Sequence, residues 1–181
     1  DGLEQLECGT DGFVAAVQSD GESVRIETPD PGEVPPQKPH TVILSCADSR
    51  VPPEVIFQQG CGQLFVQRVA GHVVDEHMRE SILFGCDGLG SRLVLVLGHR
   101  DCGAVKATLA LSDPEADAIP FLNRVRQLIQ PGLRDVQEAY LQSSGSARTE
   151  VINAAVACHV RATVEEVKKF NFVEPDGLQV V

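Results

Sequence analysis

Two short segments of the chain carry side chains that are good ligands for zinc. Cys46 ends the apolar run 41–46, while His99 and Cys102 come directly after the apolar run 93–98. Two thiolates and one imidazole form a Cys₂His set, which suits zinc. Three protein ligands leave the fourth tetrahedral position free for water or substrate, as in catalytic zinc sites. The residue types therefore predict an open zinc site.

Two charged residues lie close to the first ligand. Asp48 follows Cys46 by two positions and could accept a hydrogen bond from a reacting water, and Arg50 could hold that carboxylate in a bidentate pair. A carboxylate paired with arginine stays ionised. Asp48 could instead ligate zinc itself, which would close the site. The residues alone leave both arrangements open.

Four histidines lie outside the ligand set, and three of them are candidates for a further role. His72 and His77 could transfer protons, because histidine titrates near neutral pH, although such residues are more often ordinary surface side chains. We expect His159 to be a packing residue on a helix.

The elements that position these residues alternate between strands and helices. The continuously apolar run at 41–46 predicts a strand buried on both faces, as in a parallel sheet, and further strands are predicted at 62–68 and 92–97. Helical spacing and helix-breaking residues predict one or two short helices within 1–18 and a helix beginning at 52–57. Further helices are predicted at 75–89, 102–111, 119–129, 133–141 and 149–169. Residues 171–181 are predicted to form a short hairpin or an edge strand. The alternation predicts an α/β fold whose carboxyl strand ends carry the ligands.

The composition narrows the class of protein. With 181 residues and 43% hydrophobic residues, the chain is expected to form one domain, with a helical arm and extended connector over 1–40 and a core over 41–181. A net charge of -11 argues against nucleic acid, and no apolar run is long enough to predict a membrane span. Six scattered cysteines do not form a disulfide scaffold, which favours a reducing, cytoplasmic location. A targeting segment removed before Asp1 is the alternative.

Three motifs resemble those of the β-class carbonic anhydrases. They are Cys-Ala-Asp-Ser-Arg-Val-Pro at 46–52, Gly-x-Leu-Phe-Val-x-Arg-Val-Ala-Gly at 62–71 and Gly-His-x-x-Cys-Gly-Ala-Val at 98–105. The resemblance implies a mainly parallel sheet of four strands plus an edge strand, flanked by helices. It also implies a homodimer or higher homo-oligomer with one Zn²⁺ per subunit, and a zinc lyase that hydrates CO₂ to bicarbonate and a proton through zinc-bound hydroxide.

The resemblance also assigns residues. Cys46, His99 and Cys102 would bind zinc, and Asp48 and Arg50 would form the catalytic dyad. Four further positions would bind substrate, namely Gln37, Phe65, Ala70 and Gly103. Gln37 and Phe65 would come from the other subunit, so that the site lies at the subunit interface. Ile43 stands where a bicarbonate-inhibited subclass has tryptophan, which favours the open type, with Asp48 paired to Arg50.

Two other functions are compatible with these residues. A hydrolase for CS₂ or COS would use the same scaffold and differ in access to the site. A non-catalytic zinc-stabilised assembly module would need the three ligands but neither Asp48, Arg50 nor Gln37. The presence of all three favours the enzyme.

Overall fold

The computed structural model describes residues 2–19, 24–110 and 123–181. Seven α-helices and four strands follow one another in these ranges, with short 3₁₀ and π segments at some of their ends. The strands are β1 Thr41–Cys46, β2 Leu64–Val69, β3 Leu93–Leu97 and β4 Gln179–Val180. The helices are α1 Gly2–Gln18, α2 Pro53–Ile56, α3 Glu76–Leu83, α4 Gly103–Leu109, α5 Asn123–Ile129, α6 Arg134–Gln142 and α7 Gly145–Val167.

The four strands form one parallel sheet in the order β2-β1-β3-β4. The predicted α/β class and the parallel sheet flanked by helices are confirmed. The alternatives left open for residues 171–181 resolve to an edge strand, because β4 pairs with β3 in parallel. The order also places β1 and β3 side by side, with β2 on the far side of β1. Ligands bind at such a switch point in open α/β sheets.

β1 is the centre of the core, and all six of its residues are buried. Val42 and Leu44 pack under α3 and α7, whereas Ile43 packs with Leu6 of α1 and Phe57. Both faces of the sheet are thus covered, which explains the continuous apolar sequence of the strand. No helix among the described residues combines the length and the apolar character needed to cross a bilayer.

Most predicted helices are confirmed, with shifts of a few residues at their ends. Asp75 caps α3 by accepting a hydrogen bond from the Met78 amide at 3.0 Å. The helix then continues as a π segment, Phe84–Gly88. The predicted end of α4 at residue 111 and the predicted start of α5 at residue 119 fall outside the described residues.

The alternatives of one or two short helices within 1–18 resolve to a single helix of 17 residues, longer than predicted. α1 runs unbroken through Gly9 and Gly12. Gly9 is buried, and a Cβ atom built there would lie 1.7 Å from the Phe57 carbonyl oxygen. The glycine is therefore explained by a close approach of the helix to the backbone after α2. Tertiary packing outweighs the low helix propensity of glycine at this position.

We expect Gly9→Ala to lower the free energy of unfolding by about 1–3 kcal/mol, because the added methyl group collides with backbone that must shift. Gly12→Ala is the matched control. Its Cβ would meet only the Gln58 side-chain amide, the nearest atom at 2.7 Å, which can rotate away. The higher helix propensity of alanine should make that variant neutral or slightly stabilising. Urea unfolding of both variants tests the comparison, and equal effects would contradict it.

Candidate metal centre

The three predicted ligands converge at the carboxyl edge of the sheet. Cys46 is the last residue of β1, while His99 and Cys102 lie in the turn between β3 and α4. Their ligand atoms all lie within 4.8 Å of one another, and the two sulfur atoms are 3.9 Å apart. Two Zn–S bonds of about 2.3 Å at a tetrahedral angle require sulfur atoms about 3.8 Å apart. The spacing of the two sulfur atoms therefore fits zinc.

The histidine is prepared for metal binding. Its Nδ1 atom lies 3.0 Å from the Arg100 carbonyl oxygen, which can only accept a hydrogen bond, so Nδ1 carries the proton. Nε2 then presents a lone pair, and it is a buried atom without a hydrogen-bond partner. A buried polar atom of this kind calls for a partner. An ion held between Nε2 and the two sulfur atoms would supply it.

The environment of the two cysteines favours a thiolate. The hydrogen bond between the thiols lowers the pKa of Cys46, and the Gly71 amide, 3.3 Å from its sulfur, lowers it further. The same thiol–thiol bond, together with burial, raises the pKa of Cys102. One proton therefore lies between two sulfur atoms, and metal binding would release it.

Asp48 is turned toward Arg50. Arg50 Nε and Nη2 donate to the two carboxylate oxygens at 2.8 and 2.7 Å, and the Arg50 backbone amide donates at 3.0 Å. These hydrogen bonds hold the pKa of Asp48 well below its usual range. Asp48 Oδ2 nevertheless lies only 3.8 Å from His99 Nε2. The carboxylate is thus ionised, beside the ligand set and held by arginine, as expected for the open type.

Three residues that sequence reasoning did not assign hold the ligand loops. Arg68 of β2 donates to the carbonyl oxygens of Cys46 at 3.1 Å and Asp48 at 2.6 Å. Asn153 of α7 accepts from the Asp101 amide at 3.1 Å. Gly71 contacts the Cys46 sulfur as described above. Arg68 and Gly71 lie within the motif at 62–71, so that motif was a usable signal, whereas nothing in the sequence marked Asn153.

The predicted substrate-binding residues are divided between two places. Ala70 directly follows β2 and Gly103 begins α4, so both lie beside the ligand loops. Phe65 pairs with Val42, four residues before the Cys46–Val69 pair, which is about 13 Å along the strand. Gln37 is exposed and precedes β1, at the same distant end of the sheet. One chain therefore does not bring Gln37 and Phe65 to its own ligand set.

The cavities do not coincide with the predicted substrate pocket. An open cavity of about 520 Å³ includes His99 and is otherwise lined mainly by apolar residues of β3 and α7. None of the four predicted substrate-binding residues lines it. A cavity of about 720 Å³ lies between α1 and residues 58–60, away from the ligands. The convergence of the three ligand atoms, rather than a cavity, therefore marks the candidate centre.

Fold and site together define an α/β protein with a candidate Cys₂His metal centre at the switch point of a parallel sheet. A family model described as carbonic anhydrase matches residues 41–178. The chain therefore belongs to the carbonic anhydrase family, and its motifs and fold are those of the β class.

Individual relatives agree with this assignment. A carbonic anhydrase of Mycolicibacterium smegmatis is 37% identical over 121 residues, covering 67% of this chain and 59% of that protein. Carbonic anhydrase 2 of Mycobacterium tuberculosis is 54% identical over 74 residues, covering 41% of this chain and 36% of that protein. The chain thus matches only part of the length of these relatives.

Solved structures match the fold. The β-carbonic anhydrase CafA of Aspergillus fumigatus superposes with a TM-score of 0.69 at 23% identity, covering 80% of this chain and 69% of that one. The Coccomyxa β-carbonic anhydrase, solved with acetazolamide, superposes with a TM-score of 0.61 at 27% identity, covering 89% and 65%.

Proposed function

We propose that the protein catalyses the reversible hydration of CO₂ to bicarbonate and a proton, with one Zn²⁺ per subunit. The observation that carries the proposal is the geometry of the ligand set beside an arginine-held carboxylate. Zinc held by Cys46, His99 and Cys102 would activate water as a Lewis acid, lowering its pKa toward about 7. Family membership supports the same reaction.

The chain's own residues would orient the reacting water. Asp48 keeps acceptor capacity after binding Arg50, because a carboxylate has about four lone-pair sites. It would accept a hydrogen bond from that water and direct a lone pair toward CO₂. The Arg50 guanidinium binds Asp48 and would keep it from acting as a fourth ligand, and Arg68 fixes the carbonyl groups of the loop that carries Asp48. Ala70 and Gly103 would border the place where CO₂ binds.

We also propose that a second subunit completes the pocket, in a homodimer or larger homo-oligomer. Gln37 and Phe65 lie at the opposite end of the strands from their own ligand set, so a partner would have to supply them. β2, which carries Phe65, is an edge strand of the sheet and is only half-buried along most of its length. A tetrameric β-carbonic anhydrase of Sordaria macrospora superposes with a TM-score of 0.64, which supports such an assembly. Residues 1–40 would form an arm on the core, and a cytoplasmic location stays a prediction.

Stopped-flow CO₂ hydration with the zinc-loaded protein tests the function. We expect zinc-dependent turnover at pH 8 and above, from a species whose sedimentation mass is at least twice the 19.5 kDa of one chain. Full turnover by a monomer would contradict the shared site. COS or CS₂ turnover with little CO₂ hydration would select the alternative hydrolase. Stoichiometric zinc without any turnover would indicate the non-catalytic assembly module instead.

A further inference from the structure

Two histidines form a buried pair next to the metal centre. His72 is completely buried and His159 is 3% exposed, and their ring centroids are 4.5 Å apart with a tilt of 31°. The expectation of an ordinary surface residue is wrong for His72, and the expectation of a packing residue is correct for His159. His77, by contrast, is almost fully exposed.

Both rings favour the neutral form. Burial and the neighbouring His159 lower the pKa of His72 to about 3, and burial also lowers the pKa of His159. His159 Nε2 lies 2.8 Å from the Gly71 carbonyl oxygen. A carbonyl oxygen only accepts, so Nε2 carries the proton and donates. The pair is therefore suited to holding a backbone group rather than to transferring protons.

Gly71 connects this pair to the metal centre. Its carbonyl oxygen accepts from His159, while its amide donates to the Cys46 sulfur at 3.3 Å. The residue has φ +71°, and a Cβ atom there would lie 2.6 Å from Ile129 Cδ1 and 3.0 Å from Ala104 Cβ. Only glycine fits this conformation in this space. The carbonyl group and the amide of Gly71 are thus both hydrogen-bonded, and the partner of the amide is the proposed metal ligand Cys46.

We propose that His159 is a positioning residue for the metal centre, which holds Gly71 so that its amide donates to the Cys46 thiolate. His72 packs against the His159 ring, but the hydrogen bond to Gly71 comes from His159 alone. The inference rests on the proposed zinc centre. Groups that orient a metal ligand commonly change metal affinity about 10- to 100-fold. Separately, a hydrogen bond to a ligating sulfur weakens the electron donation of that sulfur to the metal. His159 acts through one intervening residue, so an effect near the lower end is expected.

Three variants separate this role from simple packing. His159→Leu removes the donor while filling much of the same space. His159→Gln keeps an N–H at about the reach of Nε2 and should restore the bond. His72→Asn removes the stacked ring but leaves the His159 donor, and asparagine tolerates the φ of +41° at position 72.

Each variant is loaded with Co²⁺, and two properties are measured, namely affinity against a chelator and the thiolate-to-cobalt charge-transfer band. We expect His159→Leu to bind about 10-fold more weakly, because Gly71 and the Cys46 thiolate lose the contact that orients them. The band should shift to longer wavelength, because a thiolate without its hydrogen bond donates electrons to the metal more readily. His159→Gln and His72→Asn should resemble the wild type. Urea unfolding of the metal-free variants reports packing damage separately.

Two results would overturn the inference. One is an unchanged band and affinity in His159→Leu. The other is an identical shift in His72→Asn, which would assign the effect to packing. A wild-type protein without any thiolate-to-cobalt band would overturn the proposed metal centre itself, so failure of the centre can be told apart from failure of the role of His159.

Discussion

Cys46→Ala should eliminate both stoichiometric zinc and CO₂ hydration. The Cys46 side chain is 5% exposed, and its sulfur meets the Cys102 sulfur and the Gly71 amide. Removing it leaves two ligands, which is too few for a stable zinc site. Residues that merely orient a ligand are worth about 10- to 100-fold in metal affinity, so loss of a ligand should exceed that range. Elemental analysis after gel filtration measures the zinc, and stopped-flow hydration measures turnover.

Cys86→Ala is the control for removing a buried cysteine. Cys86 is 1% exposed and packs with Ile82 and Val42 in the core under α3. Burial raises the pKa of its thiol to about 11, so the thiol stays protonated and does not act as a metal ligand. This variant should keep its zinc and its turnover and lose about 1 kcal/mol of stability. Full zinc occupancy in Cys46→Ala would show that the ligand set has been misassigned.

The ligand set was predictable because its residues are contiguous with recognisable strands. A buried apolar run identified β1 and β3, and the carboxyl ends of parallel strands meet at one edge. The sequence did not reveal the strand order, because nothing local in a buried strand states which neighbour it will pair with. The crossover connections between the strands place β1 next to β3, and this adjacency brings Cys46 close to His99.

The errors have a common physical origin in long-range packing. Gly9 looks like a helix breaker until the Phe57 carbonyl group is placed against it. His72 looks like a surface residue until the stacked His159 ring arrives from α7, 87 positions later in the chain. Arg68 looks like one charge in a strand until its guanidinium reaches the carbonyl groups after β1. In each case the partner is distant in sequence, so spacing and propensity contain no signal for it.

Asp48→Ala should lower CO₂ hydration by about 100-fold or more while zinc is retained. The carboxylate is the acceptor proposed to orient the reacting water, and positioned groups of this kind contribute about 10²- to 10⁴-fold. It should not be needed for metal binding, because the proposed ligands are His99 and the two cysteines. Turnover and zinc content are measured on the same sample. Loss of zinc would mean that Asp48 is a fourth ligand.

Arg50→Ala should also lower turnover, but for a different reason that a metal measurement can detect. Without the guanidinium, the Asp48 carboxylate, whose Oδ2 already lies 3.8 Å from His99 Nε2, is free to occupy the fourth position. Arg50→Ala should therefore bind zinc at least as tightly as the wild type. Asp48→Ala has no carboxylate to act as a fourth ligand, so its zinc affinity should not rise. Arg79→Ala breaks a comparable arginine–glutamate pair on α3 and should leave turnover unchanged. Weaker zinc binding in Arg50→Ala than in Asp48→Ala would contradict the view that arginine keeps the site open.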